Sequence, residues 1–259
     1  RLILEHNLYG MEIDERAAAL AAFALAMKAR AKDSRFLRRG VPPHIVVLRP
    51  IAFRDDELQP LLGGMVDALV QQAKARKEAR PALRDALLHD LHLWAEADNF
   101  GSLLRPQLSG EQIAAVRAQV AALAAGPQRD LVVEELRGRL LQALAQAEAL
   151  ARPYHVVVAN PPYMGSRSMN PVLRQFVSDE CAGYDADLFS AFTVRIMEMT
   201  AAGGFIGMMT PFTWMFLVSY EKLRTRIIGE HTFISLVQPE YHAFFYSVFV
   251  TICAFLLYS

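Results

Sequence analysis

Val156-Val157-Val158-Ala159-Asn160-Pro161-Pro162-Tyr163 decides how the rest of this 259-residue sequence is read. Four apolar residues, three of them β-branched, predict a buried central strand of a parallel sheet. Two prolines then end it, because each lacks an N–H for the ladder and locks φ. Open α/β sheets place ligand sites outside the carboxyl ends of their strands. At that position the chain offers the amide of Asn160, the carbonyl of Pro161 and the flat ring of Tyr163. Taken alone, the same eight residues also describe a strand followed by a proline-rich turn.

Working upstream, Leu8-Tyr9-Gly10-Met11-Glu12-Ile13-Asp14 reads as a strand with an acidic tip, followed by an Ala-rich helix over residues 16–30. An acid at such a strand end commonly takes ribose hydroxyls. Glu12 is the candidate, with Ile13 placed to press on a ligand's ring and Asp14 read as the helix N-cap. The Gly-rich turn that should precede this unit is missing, since no Gly-x-Gly occurs before Gly63. A second short strand follows at Ile45-Val46-Val47-Leu48. From Asp55 to about Arg152 the pattern turns helical, with Ser109-Gly110-Glu111 opening one helix and Gly126-Pro127 breaking it. Asp98-Asn99-Phe100-Gly101-Ser102 interrupts this stretch with a polar turn.

Downstream, Met169 to Glu180 reads as a helix or lid, and Asp187 caps a helix that runs to Ala201. Gly203-Gly204 stops it, and Phe205 to Met209 is a buried strand ended by Thr210-Pro211, much as Asn160-Pro161 ends its neighbour. A helix over Tyr220–Ile228 and strands over Phe233–Val237 and Phe249–Leu257 complete the order. The last two strands are joined by about a dozen residues, too few for a helical crossover, which predicts an antiparallel pair at the sheet edge. The fold class is therefore α/β: a mostly parallel sheet covered on both faces, with an antiparallel edge hairpin and a helical insertion. Residues 1–54 and 153–259 form the two parts of the core, and residues 55–152 form the insertion.

Lys plus Arg and Asp plus Glu both number 27, so no whole-chain footprint for nucleic acid exists. Cys181 and Cys253 lack metal-site spacing, so no metal is expected, and a reducing, cytoplasmic setting is. No signal peptide is visible, and the apolar stretch from Phe244 to Tyr258 is too short and β-rich to span a bilayer. The sequence starts on Arg1, directly in a patterned segment, and reads as a fragment of something longer, incomplete at its N-terminus.

Asn160-Pro161-Pro162-Tyr163 after an apolar strand resembles the catalytic motif of S-adenosylmethionine-dependent amino methyltransferases, especially adenine-N6 DNA methyltransferases. Glutamine methyltransferases that act on release factors share that tetrapeptide. Further stretches fall in the family's order. Gly10-Met11-Glu12-Ile13-Asp14 resembles its ribose-binding motif. Asp187 to Phe192, with Gly203 to Ile206 and Thr210-Pro211, resembles the motifs of the next helix and strand. Gln238-Pro239-Glu240-Tyr241-His242-Ala243-Phe244-Phe245 looks like the loop before the final hairpin in adenine methyltransferases of BREX phage-defence systems. The insertion and Phe100 to Leu103 also suit that group or the fused type IIG restriction–modification enzymes.

The resemblance implies a Rossmann-like class I methyltransferase sheet, S-adenosylmethionine as cofactor, and transfer to the N6 amine of a flipped-out adenine in double-stranded DNA. The catalytic residues become Asn160, Pro161, Pro162 and Tyr163. Tyr163 would stack on the base, and Phe245, or failing it Phe244, would close the other face. Glu12, Ile13, Asp98 and Asp187 are the implied cofactor contacts, Asp98 standing in for an acid not found after the second strand. The missing Gly-rich turn implies that this fragment alone is inactive, with DNA contacts supplied from outside it and other defence-system subunits as further partners. Two alternatives stay open: methylation of a protein glutamine, and a non-catalytic scaffold or DNA-binding module derived from a methyltransferase.

Overall fold

The computed structural model describes residues 2–74, 76–122, 131–240 and 251–259. The chain divides into two compact units, Arg1–Arg152 and Pro153–Ser259.

The first unit opens with helix α1 (Leu2–His6), strand β1 (Tyr9–Glu12), helix α2 (Glu15–Lys32) and strand β2 (His44–Val47). β1 and β2 pair in parallel, from Tyr9 opposite His44 to Glu12 opposite Val47, with α2 as the crossover. Asp14 caps α2: its carboxylate accepts the N–H groups of Arg16 (2.7 Å) and Ala17 (3.1 Å), two of the donors a helix start leaves unpaired. Among the described residues the α-helices α3 (Asp55–Gln72), α4 (Arg80–His92), α5 (Ala97–Phe100), α6 (Gly110–Ala122) and α7 (Leu131–Ala151) follow. Apolar residues at three- and four-residue spacing supply their common core, including Leu58, Met65 and Leu69 of α3, Ile113 and Val116 of α6 and Leu140 of α7, all fully buried. Ser109 and Gln112 cap α6 reciprocally, each side chain accepting the other's backbone N–H. The Gly126-Pro127 break lies outside the described residues.

Two polar ties fasten the helices. The Gln146 amide of α7 accepts from the Arg49 N–H at 2.8 Å and donates to the Arg49 carbonyl at 3.2 Å, pairing like one rung of a strand with the segment after β2. Asp90, 4% exposed, accepts the N–H groups of Gln107 and Leu108 at 2.7 and 2.9 Å. Burial pushes its carboxyl above the usual range, and these two donors oppose that shift.

The second unit carries strand β3 (Tyr154–Ala159), helices α8 (Pro171–Glu180) and α9 (Leu188–Met199), strand β4 (Thr200–Pro211), helix α10 (Glu221–Glu230), and strands β5 (Thr232–Val237) and β6 (Ile252–Tyr258). They form one sheet in the order β3-β4-β6-β5. β3 and β4 are parallel, whereas β6 runs antiparallel to both β4 and β5. The antiparallel pairing of the last two strands follows the loop-length argument. β6 nevertheless sits inside the sheet, and β5 takes the edge.

Two sequence expectations change in detail. α9 gives way to β4 at Thr200, before the glycine pair, and the pair lies within the strand. Tyr154 pairs with Thr200 and Val156 with Phe205, so β4 bulges out between them. Gly203 turns there at φ 76°, and a Cβ on Gly204 would meet the Ala201 and His155 carbonyls at 2.7 and 2.8 Å. The glycines therefore serve a close backbone approach. The valine run of β3 also reads as covered on both faces. One face of the sheet, with Ile206, Met208, Phe255 and Leu257, is buried in a cluster with Phe189, Val194, Met197, Leu223 and Ile227 of α9 and α10. On the other face Val156 and Val158 remain 57% and 77% exposed, alongside Phe205 and Tyr258.

Candidate active site

At the carboxyl end of β3 the chain passes from Ala159 into Asn160-Pro161-Pro162-Tyr163. Pro161 is buried, whereas Asn160, Pro162 and Tyr163 face solvent. The Tyr163 hydroxyl donates to the Asn160 Oδ1 at 2.8 Å and lies 3.3 Å from the Met209 carbonyl of β4, so the tips of two neighbouring parallel strands meet at one phenol. Partial burial holds that phenol above its usual pKa, with the Cys253 thiol adding to the effect, so it stays a neutral donor at physiological pH. Two consecutive residues supply acceptors here: the Asn160 side-chain oxygen and the Pro161 carbonyl. The latter takes no hydrogen bond among the described residues.

The loop beyond Tyr163 is held tightly. Met164 N–H donates to Asp187 Oδ1 at 3.0 Å, Leu188 N–H to the Met164 carbonyl at 2.9 Å, and Ser166 N–H to the Ala186 carbonyl at 3.1 Å. Asp187 also accepts the Phe189 N–H at 3.2 Å, so one carboxylate caps α9 and anchors the loop that follows the tetrapeptide. Burial holds the Asp187 carboxyl above its usual range, and the nearby backbone N–H groups of Phe189, Met164 and Leu188 offset only part of that shift. Every contact of Asp187 seen here is thus internal to the fold. Arg174 on α8 completes the frame, its guanidinium donating to the carbonyls of Ser166, Arg167 and Met169 at 2.8 to 3.1 Å.

The end of β4 is braced in the same manner. Trp214 Nε1 donates to Thr210 Oγ1 at 3.1 Å, and Arg224 Nη1 donates to the carbonyls of Trp214 and Leu217 at 2.7 and 2.6 Å. Sequence reading passed over Arg174, Arg224 and Trp214. A lone arginine in a helix carries no local signal, since its role depends on carbonyls brought to it by another segment. Asp187→Ala removes the cap and the Met164 anchor together. It should cost about 1–2 kcal/mol of stability, read by urea unfolding, because two N–H groups lose their acceptor.

Three further sequence candidates, Glu12, Ile13 and Asp98, lie in the first unit. Glu12 ends β1, and its Oε1 accepts the N–H groups of Ile13 (2.8 Å) and Asp14 (3.2 Å), which sets the carboxylate over the turn. Ile13 is 44% exposed. Asp98 is exposed on α5, and the glycine that ends α5, Gly101 at φ 56°, would place a Cβ 3.2 Å from Ile13 Cγ2. The Asp98-Asn99-Phe100-Gly101 turn is therefore brought beside the tip of β1, from 85 residues away in sequence counting Ile13 to Asp98. Phe244 and Phe245 lie outside the described residues. Among the described residues no group of three His, Cys, Asp or Glu side chains has the geometry of a metal site, and no helix is long and apolar enough to cross a membrane.

The sheet thus delivers Asn160-Pro161-Pro162-Tyr163 from the carboxyl end of β3. Comparison with known proteins places the chain in a family. The family model of the Eco57I restriction-modification methylases matches residues 6–245. The chain belongs to that family. It is 34% identical over 252 residues to the adenine-specific methyltransferase BrxX of Escherichia coli O9:H4 (strain HS), covering 94% of this chain and 21% of that protein. It is 28% identical over 227 residues to the adenine-specific methyltransferase PglX of Lacticaseibacillus casei (strain Zhang), covering 87% of this chain and 18% of that one. The chain thus spans about a fifth of the length of these relatives. Among solved structures, a nuclease-deletion mutant of the Type ISP restriction-modification enzyme LlaGI in complex with a DNA substrate mimic aligns over 81% of this chain and 23% of that one, at 12% identity and TM-score 0.34. A likeness that slight bears no weight here.

Proposed function

We propose that this chain is the amine-activating core of an S-adenosylmethionine-dependent adenine-N6 DNA methyltransferase. The observation that carries the reading is the pair of adjacent acceptors, Asn160 Oδ1 and the Pro161 carbonyl, at the carboxyl end of β3 in a chain of this family.

The chemistry follows from the amine. An adenine N6 lone pair is delocalised into the ring and attacks poorly. Two acceptors that take its two hydrogens draw the nitrogen toward a tetrahedral shape and aim the lone pair away from the ring plane. Pro161 suits this task because it has no N–H and its φ is fixed. No strong base is required, since the proton is lost after the nitrogen has become cationic. The gain comes from positioning and from oriented dipoles. Tyr163, 37% exposed, offers a ring to a base turned out of the duplex, offsetting part of the roughly few kcal/mol lost in unpairing. Phe245, or Phe244, would close the other face.

For the cofactor, the first unit holds the half-buried carboxylate of Glu12 next to the exposed apolar side chain of Ile13, with the exposed Asp98 on the turn brought to that tip. That donor set fits a nucleoside: Glu12 for ribose hydroxyls, Asp98 for the adenine amine and Ile13 against the ring. S-adenosylmethionine supplies the methyl group as a sulfonium. Asp187, the fourth implied cofactor contact, is held in place by the N–H groups of Met164 and Phe189. In this reading residues 1–54 and 153–259 form the core and 55–152 an insertion, double-stranded DNA in the cytoplasm is the partner, and most phosphate contacts come from beyond these residues, as the balanced charge suggests.

The test uses the full-length protein with labelled S-adenosylmethionine and duplex DNA, followed by nucleoside analysis. Labelled N6-methyladenine is the expected product. Label in a release-factor glutamine instead, or cofactor binding without transfer to either, would overturn the reading.

A further inference from the structure

The Tyr163 hydroxyl, at 2.8 Å from Asn160 Oδ1 and 3.3 Å from the Met209 carbonyl, occupies the space between the two strand tips. That is where an incoming N6 amine has to place a hydrogen, at about 2.9 Å from the same oxygen. Resting on the function proposed above, we infer that Tyr163 is a placeholder: with no base present its hydroxyl satisfies Asn160, and it must swing out before its ring can stack.

Geometry separates the two states. A donor bonded through a phenol points the edge of its ring at the acceptor. A ring stacked on the base instead lies roughly 3.5 Å out of the plane in which the N6–H bonds run. One tyrosine cannot do both. Asn160 Oδ1 has two lone pairs, but the phenol tip also blocks the approach between the strand ends, so a free lone pair does not remove the competition. At rest the contact keeps the oxygen of the Asn160 amide, rather than its nitrogen, turned toward the phenol. Around this contact the frame is fixed by Asp187, Arg174 and Arg224, which leaves the Tyr163 side chain as the element that can move.

Tyr163→Phe separates the roles, because it keeps the ring and deletes the hydroxyl. In the full-length protein, a duplex that keeps adenine at the methylated position and carries 2-aminopurine beside it reports flipping by fluorescence. The variant should bind and flip that duplex about 3- to 10-fold more tightly, the worth of one net hydrogen bond. In an Asn160→Ala background the same substitution should give a smaller gain, because only the longer contact to the Met209 carbonyl is left to release, and a merely structural effect of Tyr163→Phe would persist there in full. An unchanged or weaker affinity in Tyr163→Phe, or a gain undiminished by Asn160→Ala, would overturn the inference. These outcomes are distinct from a failure of the functional reading, which would appear as wild-type protein that transfers no methyl group to adenine.

Discussion

Asn160→Ala in the full-length protein should lower methyl transfer to adenine by about 100- to 1000-fold or more, the range seen when one oriented polar group is removed from a reacting centre. Half of the acceptor pair disappears, so the amine keeps its planar, delocalised form. The fold should be almost untouched. Asn160 is exposed and its hydrogen bond is to the Tyr163 hydroxyl. Loss of a solvent-accessible contact of this kind costs about 1 kcal/mol or less. Cofactor affinity, assigned to residues of the first unit, should be unchanged by calorimetry. Single-turnover assays with labelled S-adenosylmethionine decide the matter, and transfer within ten-fold of wild type would remove Asn160 from the reaction.

The largest stability effect is expected at Trp214. It is 4% exposed, lies parallel to Phe233 with ring centroids 6.4 Å apart, and meets Phe255 edge-on at 5.4 Å. Its indole N–H is satisfied by Thr210 Oγ1. Truncation to alanine leaves a large cavity among β4, β5 and β6 and should cost about 3–5 kcal/mol. That is a large part of the roughly 5–15 kcal/mol available to a domain. For a unit of this size the melting temperature should fall by more than about 10 °C. Trp214→Phe, which keeps a ring in the gap and gives up the hydrogen bond, should cost visibly less. Near-equal melting of wild type and Trp214→Ala would show that the Trp214 cluster does not hold the second unit together. Because Trp214 also braces the end of β4, Trp214→Ala should weaken transfer even at temperatures where the protein stays folded.

The tetrapeptide at the centre of the site was legible because its signal is local. Two prolines end a strand wherever the chain goes, and an Asp before an apolar helical run caps it whatever lies beyond. Asp14 and Asp187 both follow that rule. The pairing of the last two strands was legible for a similar reason, since a short connection leaves no room for a parallel return. The assignment of Asp187 to the cofactor drew on motif resemblance, whereas its partners, the N–H groups of Met164 and Phe189, emerge only when the chain folds back on itself.

By itself, then, the sequence determined the strand that ends in Asn160-Pro161-Pro162-Tyr163, the acid-tipped β1, the capped helices and the alternation that makes an α/β chain, all consequences of backbone chemistry within a few residues. Tertiary structure alone decided that β6 enters between β4 and β5, that the Gly203-Gly204 pair serves a bulge against β3, and that the Asp98 turn comes to rest beside Ile13. It also decided that the Tyr163 hydroxyl spans from Asn160 to Met209. Each of these depends on groups at least 17 residues apart, as between Val237 and Ala254, being brought within a few ångströms. Hydrogen bonds and van der Waals contacts act only at that range, so no reading of neighbours along the chain reveals them.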